Sequence, residues 1–166
     1  MRSSPKILAL FTASVILAAC GGKPPEPMQS AEAPKPAAAP AAPAASMPRA
    51  PSAAGARVTI TSPANGEKVK SPVTVKFSIE GMTLAPAGSS DPNTGHHHLL
   101  VDAALPDAMD QPIPKDEKHV HLGKGQTEAQ LDLPPGQHTL QLLLGDGNHV
   151  PQDPPVYSPQ VLITVE

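Results

Sequence analysis

Residues 73–80 read Val73-Thr74-Val75-Lys76-Phe77-Ser78-Ile79-Glu80. Apolar and polar side chains alternate without a break, so an extended chain here has one oily face and one wet face, the pattern of a half-buried β-strand. Upstream, Arg57-Val58-Thr59-Ile60-Thr61 repeats the alternation, and Ser62-Pro63-Ala64-Asn65-Gly66 follows with an Asn-Gly turn signal. Downstream, residues 81–95 read as a loop and residues 96–101 as a third strand. Residues 103–116 carry three prolines and read as a long irregular connection. Val120 and Leu122 mark a short strand, and Ala129, Leu131 and Leu133 another, ended by Pro134-Pro135-Gly136. Residues 137–144 form the most apolar run, and Val161, Ile163 and Val165 alternate in the last strand.

Seven short strands, turn chemistry between them and no helical period predict an all-β fold, an immunoglobulin-like β-sandwich over residues 57–166. The stretches around Thr61-Ser62-Pro63-Ala64-Asn65-Gly66 and Ser71-Pro72-Val73-Thr74-Val75 resemble bacterial Ig-like modules. The chain has one Cys and no Trp, so the disulfide and core Trp of antibody domains are absent and the core must be aliphatic.

Composition narrows the function. Aromatic residues make up 2% of the chain (Phe11, Phe77 and Tyr157), which leaves no stacking platform for single-stranded nucleic acid or carbohydrate. Residues 57–166 hold seven Lys and Arg against thirteen Asp and Glu, a balance of −6, so no basic face exists to displace counterions from a duplex. Nucleic acid is not an expected partner.

The N-terminal 56 residues have another use. Arg2 and Lys6 precede an apolar run, residues 7–17, too short to span a bilayer and of signal-peptide length. The run ends Leu17-Ala18-Ala19-Cys20, which resembles the lipobox of bacterial lipoproteins, and the chain's single Cys falls on the position that accepts the lipid. The resemblance implies a signal peptide at 1–19, a lipid anchor at Cys20 as the membrane partner, and, with Gly21 next, placement in the outer membrane with the head in the periplasm. Residues 21–56 contain nine Pro and no Leu, Ile, Val, Phe, Tyr or Trp. Pro interrupts the Ala runs and nothing large and apolar offsets ordering entropy, so residues 20–56 are expected to be a disordered tether. Extended, it would reach about 110 Å.

All seven His lie within residues 96–149. Gly95-His96-His97-His98 leads into Leu99-Leu100-Val101-Asp102, His119-Val120-His121 is a His-x-His on a strand, and His138 and His149 flank the longest apolar run. On a strand, residues i and i+2 face the same side, so His96 with His98, and His119 with His121, project as pairs. Two pairs on neighbouring strands, or one pair with His149, offer three or four neutral imidazoles to one ion, a donor set suited to Cu or Zn. Asp102 and Asp146 are candidates to orient the rings from behind. His138 shares a face with Leu140, Leu142 and Leu144 and reads as structural. Asp107, Asp110, Asp116 and Glu117 read as a solvated loop, Asp146-Gly147-Asn148 lacks the spacing of a calcium loop, and Met82 and Met109 read as filling rather than as ligands. No nucleophile elbow, P-loop or dinucleotide fingerprint is present, and no catalytic residue is assigned.

The runs Gly95–Asp102, Gln111–Val156 and Val161–Glu166 together resemble a bacterial family known only as a domain of unknown function, whose members are small exported proteins or lipoproteins. The resemblance spans about residues 77–166. The family's pattern falls here on the His triplet, on His119 and His121, on residues 134–142 and on the loop 146–151. Many relatives carry His where Gln152 stands here, so a ligand at that position would be missing. The resemblance implies no activity. Three readings therefore compete: a metal-binding module for buffering, delivery or rigidity, a structural or interaction module with an envelope protein partner, and a metal-dependent enzyme. A metal site requires ring nitrogens that converge on one point. A structural role requires each His to be paired with its own carbonyl or carboxylate, and an enzyme requires a pocket with a second polar group beside the open position.

Overall fold

The computed structural model describes residues 45–166. The expected signal peptide at 1–19, the expected lipid anchor at Cys20 and the expected tether through residue 44 lie outside the described residues. Nine strands form: β1 (Arg57–Ser62), β2 (Glu67–Val69), β3 (Val73–Glu80), β4 (Thr83–Leu84), β5 (Thr94–Val101), β6 (His119–Leu122), β7 (Glu128–Leu131), β8 (Gly136–Gly145) and β9 (Val161–Val165). Seven correspond to the predicted strands. The other two, β2 and β4, are three and two residues long and too short to show a period. They exist because β2 lies parallel beside β9 and β4 parallel beside β5.

The strands make a sandwich of two sheets. One has the order β1-β3-β7, and the other the order β2-β9-β8-β5-β4, with β6 also paired to β5. The alternating residues seen in sequence meet between the sheets: Val58, Ile60, Val73, Val75 and Phe77 from one side, and Leu99, Val101, Leu140, Leu142, Leu144, Ile163 and Val165 from the other. Each such side chain contributes about 1.5–3 kcal/mol through burial, and the core is aliphatic apart from Phe77, as the composition required.

The larger sheet is covered on its outer face as well. Ile113, from the loop between β5 and β6, packs on Leu100 of β5 and Leu143 of β8. Seven of the eight residues of β5 are consequently buried, all but Thr94. That covered outer face of β5 is the one that carries His96 and His98.

The head begins to be held before β1. Main-chain hydrogen bonds join Met47 N to Asp110 O (2.8 Å), Asp153 N to Ala50 O (2.9 Å) and Ser52 N to Asp153 O (3.1 Å). Pro51 forms a parallel bridge with Asp153. Arg49 donates from Nε to Pro151 O at 3.0 Å and from Nη2 to Gln152 O, and pairs with Asp153 through Nη1 at 3.2 Å. The tether was expected to run to residue 56; residues 47–53 instead lie as a strap along residues 151–153. Main-chain groups and Arg49 hold it, which is why no hydrophobic signal marked it in the sequence.

Candidate metal centre

The outward side chains of β5 at His96 and His98, of β6 at His121, and of the loop after β8 at His149 meet over the outer face of the larger sheet. The β5–β6 register sets His121 opposite His98. The β5–β8 register sets His96 opposite Gly145, which leaves room above β8 where a side chain would otherwise stand. A Cβ on Gly145 would lie 3.0 Å from His98 Nε2. His149 then drops in from the 146–151 turn. Every pair among the four rings has centroids 4.8–5.7 Å apart.

Two contacts organise the cluster. His98 Nε2 lies 3.1 Å from His96 Nε2, and His149 Nε2 lies 3.1 Å from His121 Nε2. Each contact needs one protonated and one bare nitrogen, so each pair shares a single Nε2 proton. Ligand nitrogens of His96, His121 and His149 lie within 4.8 Å of one another. A metal–nitrogen length of ~2.0–2.1 Å places tetrahedral donors about 3.4 Å apart. The two 3.1 Å pairs are already near that spacing, and closing the rest takes a shift of roughly an ångström, which a loop-borne ring such as His149 accommodates.

The electrostatics keep His96, His98 and His121 neutral. Burial, then the neighbouring His149, His121 and His97, push His96 down to about 4. Burial first, then the surrounding His rings, push His98 down to about 2. His121 is lowered by burial, then by His149 and by Lys115. Neutral imidazole is the form that ligates a metal. His96 Nδ1 and His98 Nδ1 are buried and have no hydrogen-bond partner among the described residues. The His96 and His98 rings are thus not locked to carbonyls, as purely structural histidines would be.

The remaining candidates separate from the cluster. His119 shares the outward face of β6 with His121, but its cross-strand neighbour is Leu100 rather than a His. Its ring turns to Asp116, with Nδ1 2.8 Å from Oδ1, and Asp116 also accepts the main-chain N–H groups of Lys118 and His119. His119 closes the turn into β6 and is not among the three convergent histidines. Asp102 does not orient a cluster ring. It accepts from His138 Nδ1 at 2.7 Å and from Thr139 N at 2.8 Å. Asp146 does not orient a ring either. Its Oδ1 accepts from Asn148 N and Val150 N, so it shapes the turn that carries His149.

His138 is structural in the required sense. It meets Asp102 on Nδ1 and Pro134 O, at 2.9 Å, on Nε2. Both partners are acceptors, so both ring nitrogens donate only in the imidazolium form. The Asp102 hydrogen bond accordingly raises His138 against the opposing effect of burial. Within the triplet, His97 points to the core, where it meets Phe77 edge to face with centroids 4.8 Å apart, and burial lowers it to about 4. Gln152 is fully buried against Gly95, on the His97 side of β5. A His at 152 would therefore not fill a gap in the cluster.

Sequence reasoning missed Gly123. A Cβ there would overlap His121 at Cε1 and Nε2, so the ring lies folded over the Gly123 backbone. The i, i+2 relation of His121 and Gly123 was the available signal, since both stand on one face as the strand ends.

The family described as a domain of unknown function (DUF4399) matches residues 75–166, more than half of the chain. No curated protein and no solved structure matches the chain.

Proposed function

Because the chain belongs to the DUF4399 family, whose description states no activity, we propose its function from the site: the head binds a copper or zinc ion through His96, His121 and His149, with His98 in reach as a fourth donor. One observation carries the reading. Four imidazoles from three separate segments meet with their Nε2 atoms paired to one another, rather than to carbonyls or carboxylates. Rings whose Nε2 atoms pair with one another gain most from a shared cation. The ion would join β5, β6 and the 146–151 loop, and a half-exposed edge at His121 and His149 suits loading and release, hence buffering or delivery as well as rigidity.

The test is the metal content, by mass spectrometry, of protein purified without an affinity tag, followed by titration with Cu and Zn. About one ion per chain and a raised melting temperature are expected. Mass action gives about 2.7 kcal/mol at a hundredfold excess over the dissociation constant. No bound ion and no shift with either metal would remove the reading in favour of a structural module.

The proposal extends to placement. Leu17-Ala18-Ala19-Cys20 supports a lipid anchor at Cys20 that holds the head in the periplasm, at the outer membrane, beside envelope partners. Cys20→Ser is expected to leave the protein unlipidated and out of the membrane fraction. A Cys20→Ser protein with the wild-type mass and fractionation would exclude the anchor.

A further inference from the structure

We propose that Arg49, through the strap at residues 47–53, is a positioning residue for His149, so that the end of the tether sets the affinity of the metal centre. The proposal rests on the metal reading for its affinity consequence and on geometry alone for its structural part.

His149 sits in an unfavourable backbone conformation. Its φ is +67°, in the left-handed region that non-glycine residues seldom occupy. Such a residue persists only where its surroundings over-determine it. The surroundings can be named. His149 N donates to Asp146 O at 2.9 Å, and Val150 N donates to Asp146 Oδ1 at 3.0 Å, which closes the turn from within. Ile113 N donates to His149 O at 2.9 Å, which holds the residue from the long loop.

The chain then leaves His149 through Val150 and enters the grip of the strap. Arg49 donates to the carbonyls of Pro151 and Gln152 and pairs with Asp153, while Ala50 and Ser52 bond both main-chain groups of Asp153. Three consecutive residues, beginning two after His149, are thus fixed by one guanidinium and a short length of backbone. The planar, multidentate guanidinium is suited to this, and a Lys ammonium is not. The strap reaches the same place by a second route. Met47 N donates to Asp110 O, in the long loop whose Ile113 holds His149 O.

If the strap lets go, residues 151–153 lose their outer support, and the left-handed turn is left with its bonds to Asp146 and Ile113 and the Gly145–Pro151 bridge. His149 then leaves the cluster for part of the time. Apparent affinity falls in proportion to the competent fraction, so a loop that is competent a tenth of the time raises the dissociation constant about tenfold.

The experiment uses the full chain and compares wild type, Arg49→Ala, Arg49→Lys, His149→Ala and His138→Ala. The metal-free readout is hydrogen exchange of the His149 and Val150 amides. Exchange should accelerate in Arg49→Ala, and only partly recover in Arg49→Lys, while amides of the central strands stay protected. The metal readout is Cu(II) titration with electron paramagnetic resonance. Arg49→Ala should bind about tenfold more weakly and shift toward the spectrum of His149→Ala. His138→Ala, which destabilises the head elsewhere, should keep the wild-type spectrum. Unchanged exchange at His149 and Val150 in Arg49→Ala would overturn the strap's role, as would a wild-type affinity and spectrum. A wild type that binds neither Cu nor Zn would overturn the metal reading instead, and the exchange data would still decide the strap.

Discussion

His119 and His121 stand on one strand face two residues apart, yet they meet different chemistry. His121 faces His98 across the ladder and His149 from above, while His119 faces Leu100 and turns to Asp116. His121→Ala is therefore expected to abolish the Cu- or Zn-induced rise in melting temperature, and His119→Ala to keep it, with both apo proteins folded. Equal loss in the two variants would show that His119 is a ligand. The His138–Asp102 pair makes a different prediction, one of pH. His138 is raised from its ordinary 6.5, so its contribution is full below pH 6.5 and is lost as pH rises through the raised value. Burial works to raise Asp102, but the bonds from Thr139 and His138 outweigh it and lower Asp102 from 3.8. Its contribution is thus full above pH 3.8 and is lost as pH falls through the lowered value. His138→Gln should cost about 1 kcal/mol at pH 5.5, after allowance for the exposure of Asp102, and less at pH 8.5, as read from urea midpoints. His96, His97 and His98 act in the opposite sense, since their lowered values penalise the fold as pH falls below 6.5. The difference between variant and wild type removes that common trend.

At the scale of elements, β5 is the unusual strand. A strand in a two-sheet sandwich normally shows water one face, and its sequence alternates accordingly. β5 reads Thr94-Gly95-His96-His97-His98-Leu99-Leu100-Val101 and does not alternate, because both faces are covered. Its inner residues join the core, and its outer residues lie under the long loop and the His149 turn. The end of β6 is equally constrained, since the His121 ring occupies the space a side chain at 123 would need. Gly123→Ala is expected to displace that ring and weaken metal binding roughly 10–100-fold, the loss typical when an orienting contact to a ligand is removed. Its melting temperature without metal should change little by comparison. Calorimetric titration beside apo melts checks both halves, and an unchanged affinity would mean that the ring has another place to go.

At the scale of the molecule, the strap is bonded into the described fold. A fragment spanning residues 45–166 is expected to melt cooperatively at the temperature of the full chain. A fragment spanning 57–166 should melt lower, by about 4–8 °C for each kcal/mol that the strap contributes. Identical melts for the two fragments would show that the strap adds nothing to stability. The sandwich itself was legible in residues 57–165, because the side-chain period of two and the Gly, Pro and Asn turns are local properties, each readable within a few neighbours. The aliphatic core followed from the absence of Trp and of a Cys pair. Local pairing also brought out the two-by-two projection of His96 with His98 and of His119 with His121. The sequence by itself did not determine which of these meet. That choice depends on cross-strand register, which sets His98 against His121 and Leu100 against His119, and register is fixed only when the strands pair. Nor did it determine the strap, which is held by main-chain groups and one Arg and leaves no hydrophobic pattern. The convergence of His149 on the cluster, 28 residues from His121, was likewise decided by a left-handed turn and the tertiary contacts that hold it there.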